Sequence, residues 1–125
     1  MISYKLVENM SFNEIQQCNN LINNSFKTNR FNDYVHAIMY IKENQILGFV
    51  GIYDSLLNQL CTHVEYRKQG IASKLLEACK TLLNLPIFLF IDKKKDNTEY
   101  LVNFYKKNQF FICDENNIEY KMIFK

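Results

Sequence analysis

The sequence predicts an α/β (α+β) domain: a mixed, largely antiparallel central sheet of about seven strands flanked by helices. Three observations carry this. Short apolar or alternating runs recur at both ends of the chain. Other stretches repeat apolar residues at helical spacing behind capping signals. The order is strand, helix, a run of hairpin strands, helix, strand, helix, two strands, and hairpins followed by strand–helix–strand read as a mixed sheet.

Residues Ile2 to Val7 form the first predicted strand. Ser11 follows as N-cap with Glu14 three residues on, a capping box, and Phe12, Ile15, Cys18, Leu21 and Ile22 continue at helical spacing. Asn23 to Asp33 is polar and Asn-rich, which predicts a loop. Val35 to Ile41 and Ile46 to Tyr53 form a hairpin about Glu43-Asn44-Gln45; both are apolar on both faces and therefore central. Asp54-Ser55 turns the chain into Leu56 to Val64. Behind Gly70, the residues Ile71, Leu75, Leu76, Cys79, Leu82 and Leu83 fall on one helical stripe. Pro86 ends that region, and Ile87 to Asp92 reads as a fully apolar strand of the buried type. Asp96 with Glu99 caps a helix carrying Leu101, Phe104 and Tyr105. Phe110 to Cys113 and Ile118 to Phe124 close the chain around Glu115-Asn116-Asn117. No repeat or linker interrupts residues 1–125, which predicts a single domain.

With 48% hydrophobic residues in 125, the chain has material for one core. The formal net charge of +2 supplies no bulk attraction to nucleic acid or to an anionic membrane, so neither is an expected partner. The four cysteines, Cys18, Cys61, Cys79 and Cys113, form no C-x-x-C pair and fit reduced thiols. Cys61 and His63 match no usual zinc spacing, so no metal is expected. The opening "MISYKLVENM" has no signal-peptide pattern, and no apolar run is long enough for a bilayer span, which predicts a cytoplasmic location.

The informative stretch is "YRKQGIAS", Tyr66 to Ser73. First-turn N–H groups of a helix have no intrahelical partner and favour an anion. Gly70 allows close backbone approach, Ala72 keeps the first turn slim, and Arg67 and Lys68 add positive charge. On these features alone the loop reads either as a phosphate nest or as a basic turn into a helix.

The string Arg67-Lys68-Gln69-Gly70-Ile71-Ala72 resembles the R/Q-x-x-G-x-G/A signature of the Gcn5-related N-acetyltransferase superfamily. "ILGFVGIY" resembles the family's strand with a Gly-Phe pair, and "NFYKKNQFF" its Tyr-x-x-x-Gly-Phe segment, with Gln109 standing in the glycine's place. The order of elements matches over nearly the whole chain. The resemblance implies the acyl-CoA N-acyltransferase fold, with acetyl-CoA as co-substrate. It places the pyrophosphate on Arg67 to Ser73 and the pantetheine arm along Leu60, Cys61 and Thr62, a strand the family often bulges and splays from its parallel neighbour. A further cofactor contact falls on Thr98 or the adjacent Asn97.

The implied reaction moves an acetyl group to a primary amine by direct transfer in a ternary complex. Tyr105 aligns with the family's tyrosine near the thioester sulfur and is the candidate general acid, although Tyr100, Leu101 and Phe104 beside it on the same helix also suit a core role for Tyr105. Candidate bases are Glu65, His63 and Asp92, with water-mediated deprotonation as the alternative. Cys61 lacks an evident paired base for a nucleophilic role. With few insertions to build a peptide groove, the expected acceptor is a small amine, such as an amino sugar or polyamine. The alternatives are a protein lysine or N-terminus, or a CoA-binding module without catalysis. Strand pairing between copies is common in this fold, which leaves a homodimer open.

Overall fold

The structure, a computed structural model, describes residues 1–25, 34–67, 69–83 and 86–124. Pairing starts at the N-terminus, where Ile2–Leu6 (β1) lies antiparallel to His36–Lys42 (β2), and β2 to Gln45–Tyr53 (β3). The β2–β3 turn holds two residues, Glu43 and Asn44, with φ of 53° and 66°. Two successive positive φ values belong to the hairpin turn whose twist matches that of the strands. Leu56–Thr62 (β4) pairs antiparallel with β3, and Ile87–Asp92 (β5) lies parallel to β4. Phe111–Glu115 (β6) and Glu119–Phe124 (β7) complete one seven-stranded sheet in the order β1-β2-β3-β4-β5-β7-β6. Among the described residues three α-helices flank it: Phe12–Ser25 (α1), Ile71–Leu83 (α2) and Thr98–Lys107 (α3). The mixed, largely antiparallel sheet expected from the sequence is therefore the observed architecture.

The capping box forms as expected: Glu14 N–H donates to Ser11 Oγ at 3.1 Å and Ser11 N–H to Glu14 Oε1 at 2.9 Å. Strand β3 is buried from Ile46 to Ile52, because the helices cover both of its faces. On one side Ile38, Val50 and Ile52 pack with Ile71, Leu75, Leu76 and Cys79 of α2. On the other, Ala37, Met39 and Phe49 pack with Cys18, Leu21 and Ile22 of α1. Each fully buried aliphatic side chain contributes about 1.5–3 kcal/mol. Gly51 is fixed by crowding: a Cβ there would meet the Tyr34 ring at 2.5 Å. The Tyr34 hydroxyl in turn donates to Gln59 Oε1 on β4.

Several local expectations are corrected. Phe12 occupies the first helical position and is 82% exposed, so the apolar stripe of α1 begins at Ile15. Leu82 is exposed at the end of α2. Strand β5 is buried on one face only: Ile87, Leu89 and Ile91 point inward, while Phe90 is exposed, because α2 and α3 both join the core on the same side. Strand β4 stops at Thr62, where His63 O accepts from Tyr66 N–H and bends Val64–Tyr66 into a 3-10 turn. The N-cap of α3 is Asn97 rather than Asp96. Helix α1 extends to Ser25, and the rest of the predicted Asn23–Asp33 loop before residue 34 lies outside the described residues. Among the described residues no helix is long and apolar enough to cross a membrane.

Candidate active site

The site begins with a failure of strand pairing. Strands β4 and β5 are neighbours, yet their ladder has one register pair, Leu56 with Phe88, supported by Phe88 N–H donating to Ser55 O at 2.9 Å. Just beyond, β4 carries an extra residue: Gly51 pairs with Gln59 but Ile52 with Leu57, leaving Asn58 as a bulge. A bulge bends its strand and increases local twist. From there the strands part, and the free edge of β4 faces a groove of about 610 Å³.

Three segments line this groove. Leu60, Cys61 and Thr62 supply the β4 wall; Tyr66, Arg67 and Gly70 to Ser73 supply one end; Asn97, Tyr100, Leu101, Phe104 and Tyr105 supply the α3 wall. The α3 residues recur at three- and four-residue spacing, which puts them on one helical face.

At the α2 end, Gly70 O accepts from Lys74 N–H at 3.0 Å, which makes Gly70 the N-cap residue. Having no side chain, it cannot cap the first turn, which leaves the N–H groups of the groove-lining Ile71, Ala72 and Ser73 without an intrahelical partner. Its φ of +80° is left-handed, and nothing lies within 4 Å of an added Cβ. Conformation, not crowding, therefore requires the glycine. Arg67 Nε donates to Thr62 O at 3.4 Å, a long bond that keeps the guanidinium beside the mouth.

Tyr105 lines the groove on α3 and is 7% exposed. Its ring meets Phe104 and Phe110 edge to face, with centroids at 5.2 and 5.5 Å. Among the described residues no buried side-chain nitrogen or oxygen lacks a partner, and Tyr105 Oη makes no hydrogen bond there, so the hydroxyl opens onto the groove. Burial raises its pKa above the usual phenol value, with the Cys79 and Cys61 thiols adding to the rise. Burial also pushes the Cys61 thiol up to about 12 against the opposing pull of Arg67. Both groups keep their protons at neutral pH.

Of the residues singled out from the sequence, the groove gathers Leu60, Cys61, Thr62, Arg67, Gly70, Ile71, Ala72, Ser73, Asn97 and Tyr105. Gln69 is exposed and does not line it, and Lys68 lies outside the described residues. Thr98 is turned away: its Oγ1 donates to Asp92 O at 2.6 Å and Lys95 O at 2.8 Å. Asp92 itself accepts from Lys94 N–H at 2.8 Å. His63 Nδ1 accepts from Glu65 N–H at 3.2 Å, its ring packs on Tyr66, and neither His63 nor Glu65 lines the groove. Sequence reasoning missed Tyr66, Tyr100, Leu101 and Phe104 as wall residues. The helical phase of Tyr100, one turn before Phe104, was the available signal.

The donor set fits an elongated thiol ester bearing a phosphate-rich end. Unpaired helix amides and a guanidinium stand at one end, an open strand edge runs along the middle, and a protonated phenol stands on the helix wall.

A family model described as an acetyltransferase (GNAT) domain matches residues 33–111, more than half of the chain. No curated protein matches the chain in sequence. Among solved structures, the chain is similar to an aminoglycoside 6'-N-acetyltransferase complexed with coenzyme A, at 16% identity and a TM-score of 0.76 over 98% of this chain and 96% of that one. It is similar to Arabidopsis thaliana Naa50 in complex with the bisubstrate analogue CoA-Ac-MVNAL, at 17% identity and a TM-score of 0.77 over 99% and 98%. It is also similar to Ard1 from Thermoplasma volcanium, at 18% identity and a TM-score of 0.74 over 98% and 96%. These likenesses extend the shared fold over the full sheet, and the matched domain makes the chain a member of the GNAT acetyltransferase family.

Proposed function

We propose that the chain transfers an acetyl group from acetyl-CoA to the primary amine of a small molecule, an amino sugar or a polyamine, by direct transfer in a ternary complex. The observation that carries this reading is the β4–β5 groove, with the open α2 amides at its mouth and the Tyr105 hydroxyl on its α3 wall. Acetyl-CoA, when bound, supplies the activated thioester. The N–H groups of Ile71, Ala72 and Ser73, with Arg67, would hold its pyrophosphate. The edge of β4 from Leu60 to Thr62 would pair with the pantetheine arm, and Asn97, whose side chain makes no cap bond, is free to reach it from α3. A backbone N–H on that edge would meet the carbonyl oxygen as negative charge develops.

Tyr105 would donate its O–H to the leaving sulfur. A phenol with a raised pKa holds its proton more firmly than a thiol does, with thiols near ~8.5. Its contribution is then a hydrogen bond to developing charge rather than early proton release. Cys61 lines the groove as a thiol, which supports direct transfer over a covalent acyl intermediate. Among the described residues no carboxylate or imidazole lines the groove, so water is the proposed route for the amine proton. A free alkyl amine, with a pKa near ~10, must lose that proton before it attacks.

A small acceptor is supported by the short turns at both ends of the sheet, two residues between β2 and β3 and three between β6 and β7. A peptide N-terminus is the second reading, favoured by the likeness to Naa50 bound to a peptide-bearing analogue. Thiol release from acetyl-CoA, measured against amino sugars, polyamines, lysine peptides and N-terminal peptides, separates them. Turnover with a small amine is the expected result. Turnover with N-terminal peptides alone selects the second reading. CoA binding with no thiol release across the whole panel would make the chain a binding module.

A further inference from the structure

Gln109 takes a φ of 66° at the C-terminal end of α3, a conformation that favours glycine. Around it Phe110 N–H donates to Tyr105 O at 3.0 Å, and Gln109 N–H to Lys106 O at 3.1 Å. These are the two bonds of a Schellman motif. The Tyr105 carbonyl also accepts from Asn108 N–H at 3.0 Å. The backbone of the proposed donor is therefore the anchor of a turn built on a strained glutamine.

A lysine from another helix holds that turn. The Lys80 side chain is 7% exposed. Its Nζ donates to Asn108 O at 2.5 Å and to Gln109 Oε1 at 2.7 Å. The same ammonium lies 4.6 Å from the Phe124 ring centroid and 5.9 Å from that of Phe110. Its carboxylate neighbour, Glu77, is 68% exposed and 3.5 Å away, so the shorter contacts go to the end of α3. A cation at a helix C-terminus meets orphan carbonyls and the negative end of the dipole. Desolvating it there is costly unless such partners are present.

We propose that Lys80 is a positioning residue for Tyr105: its buried ammonium clamps the Asn108–Gln109 turn and so fixes where α3 presents the phenol to the groove. The inference rests on the reading of Tyr105 as hydrogen-bond donor. The path is short, from Lys80 to Gln109 and Asn108, to the bonds on Tyr105 O, and through the Phe110 ring that touches both Lys80 and Tyr105. A small displacement of a donor from its productive position costs rate, not cofactor affinity.

Lys80→Met keeps the apolar stem and removes the ammonium. It is expected to lower kcat about ten- to hundredfold with KM for acetyl-CoA unchanged. Amide hydrogen exchange at Gln109 and Phe110 should speed up. In a Tyr105→Phe background the same substitution should lower kcat no further. Adding Gln109→Gly to Lys80→Met should restore kcat, because glycine holds the left-handed conformation unaided. Where Lys80→Met does not fold, Gln109→Met removes one acceptor alone and should lower kcat in the same direction. An unchanged kcat in the folded variant, an additive effect with Tyr105→Phe, or no rescue by Gln109→Gly overturns the proposal. Wild-type kcat in Tyr105→Phe alone would instead remove the donor reading, while the exchange rates would still report whether Lys80 holds the turn.

Discussion

Tyr105→Phe is expected to lower kcat by about 10²–10³-fold, the usual cost of losing one donor to charge that develops in a transition state. The substitution keeps the ring and its edge contacts with Phe104 and Phe110. It removes a hydroxyl that makes no hydrogen bond among the described residues. Stability and CoA affinity should therefore stay at wild-type levels, which separates a chemical role from a packing role. The pH dependence has a definite sign. The donor form is the protonated phenol, and burial raises its pKa above 10. Tyr105 should then impose no falling limb on kcat below about pH 10, and its contribution should be lost only above that. Thiol-release kinetics from neutral to alkaline pH check both statements. Wild-type turnover in the phenylalanine variant would return Tyr105 to the core.

Gly70→Val is expected to weaken CoA binding by about ten- to hundredfold, equivalent to about 1.4–2.8 kcal/mol. Space is available for the side chain, since nothing lies within 4 Å of the Cβ position. The cost comes from φ of +80°, which a β-branched residue adopts only under strain of about 1–3 kcal/mol. Relief of that strain rotates the first turn of α2 and carries the Ile71, Ala72 and Ser73 amides out of register. Calorimetric titration with CoA gives the affinity, and thermal unfolding gives the share of the strain that appears as lost stability. An unchanged affinity would mean that the α2 mouth does not hold the pyrophosphate.

These two positions also show what a single sequence discloses. Gly70 announced itself because its neighbours, Arg67 and Ala72, make a local pattern with a local cause. The Ser11–Glu14 capping box was legible for the same reason, with both partners inside one turn. The fold class followed from the order of periodic runs. What was hidden depends on contacts between distant segments. Phe88 and Phe90 read as buried because periodicity does not say which face of a strand the helices will cover, and α2 and α3 covered the other one. The choice between Asn97 and Thr98 turned on a single residue of helix phase. In the structure Asn97 lines the groove, and Thr98 bonds back to Asp92 O and Lys95 O. The clamp of Lys80 on Gln109 spans 29 positions of sequence, and only the glutamine at a glycine position hinted that compensation would be needed. The groove was expected from the family resemblance alone, since one bulged residue at Asn58 and one β4–β5 register pair leave no mark on composition.

A crystal structure of the chain with CoA tests the central claim most directly. The pyrophosphate oxygens are expected within about 2.7–3.2 Å of the Ile71, Ala72 and Ser73 nitrogens, with the pantetheine along Leu60 to Thr62 and the sulfur beside Tyr105 Oη. CoA bound outside the β4–β5 groove, or with its pyrophosphate away from the mouth of α2, would contradict it.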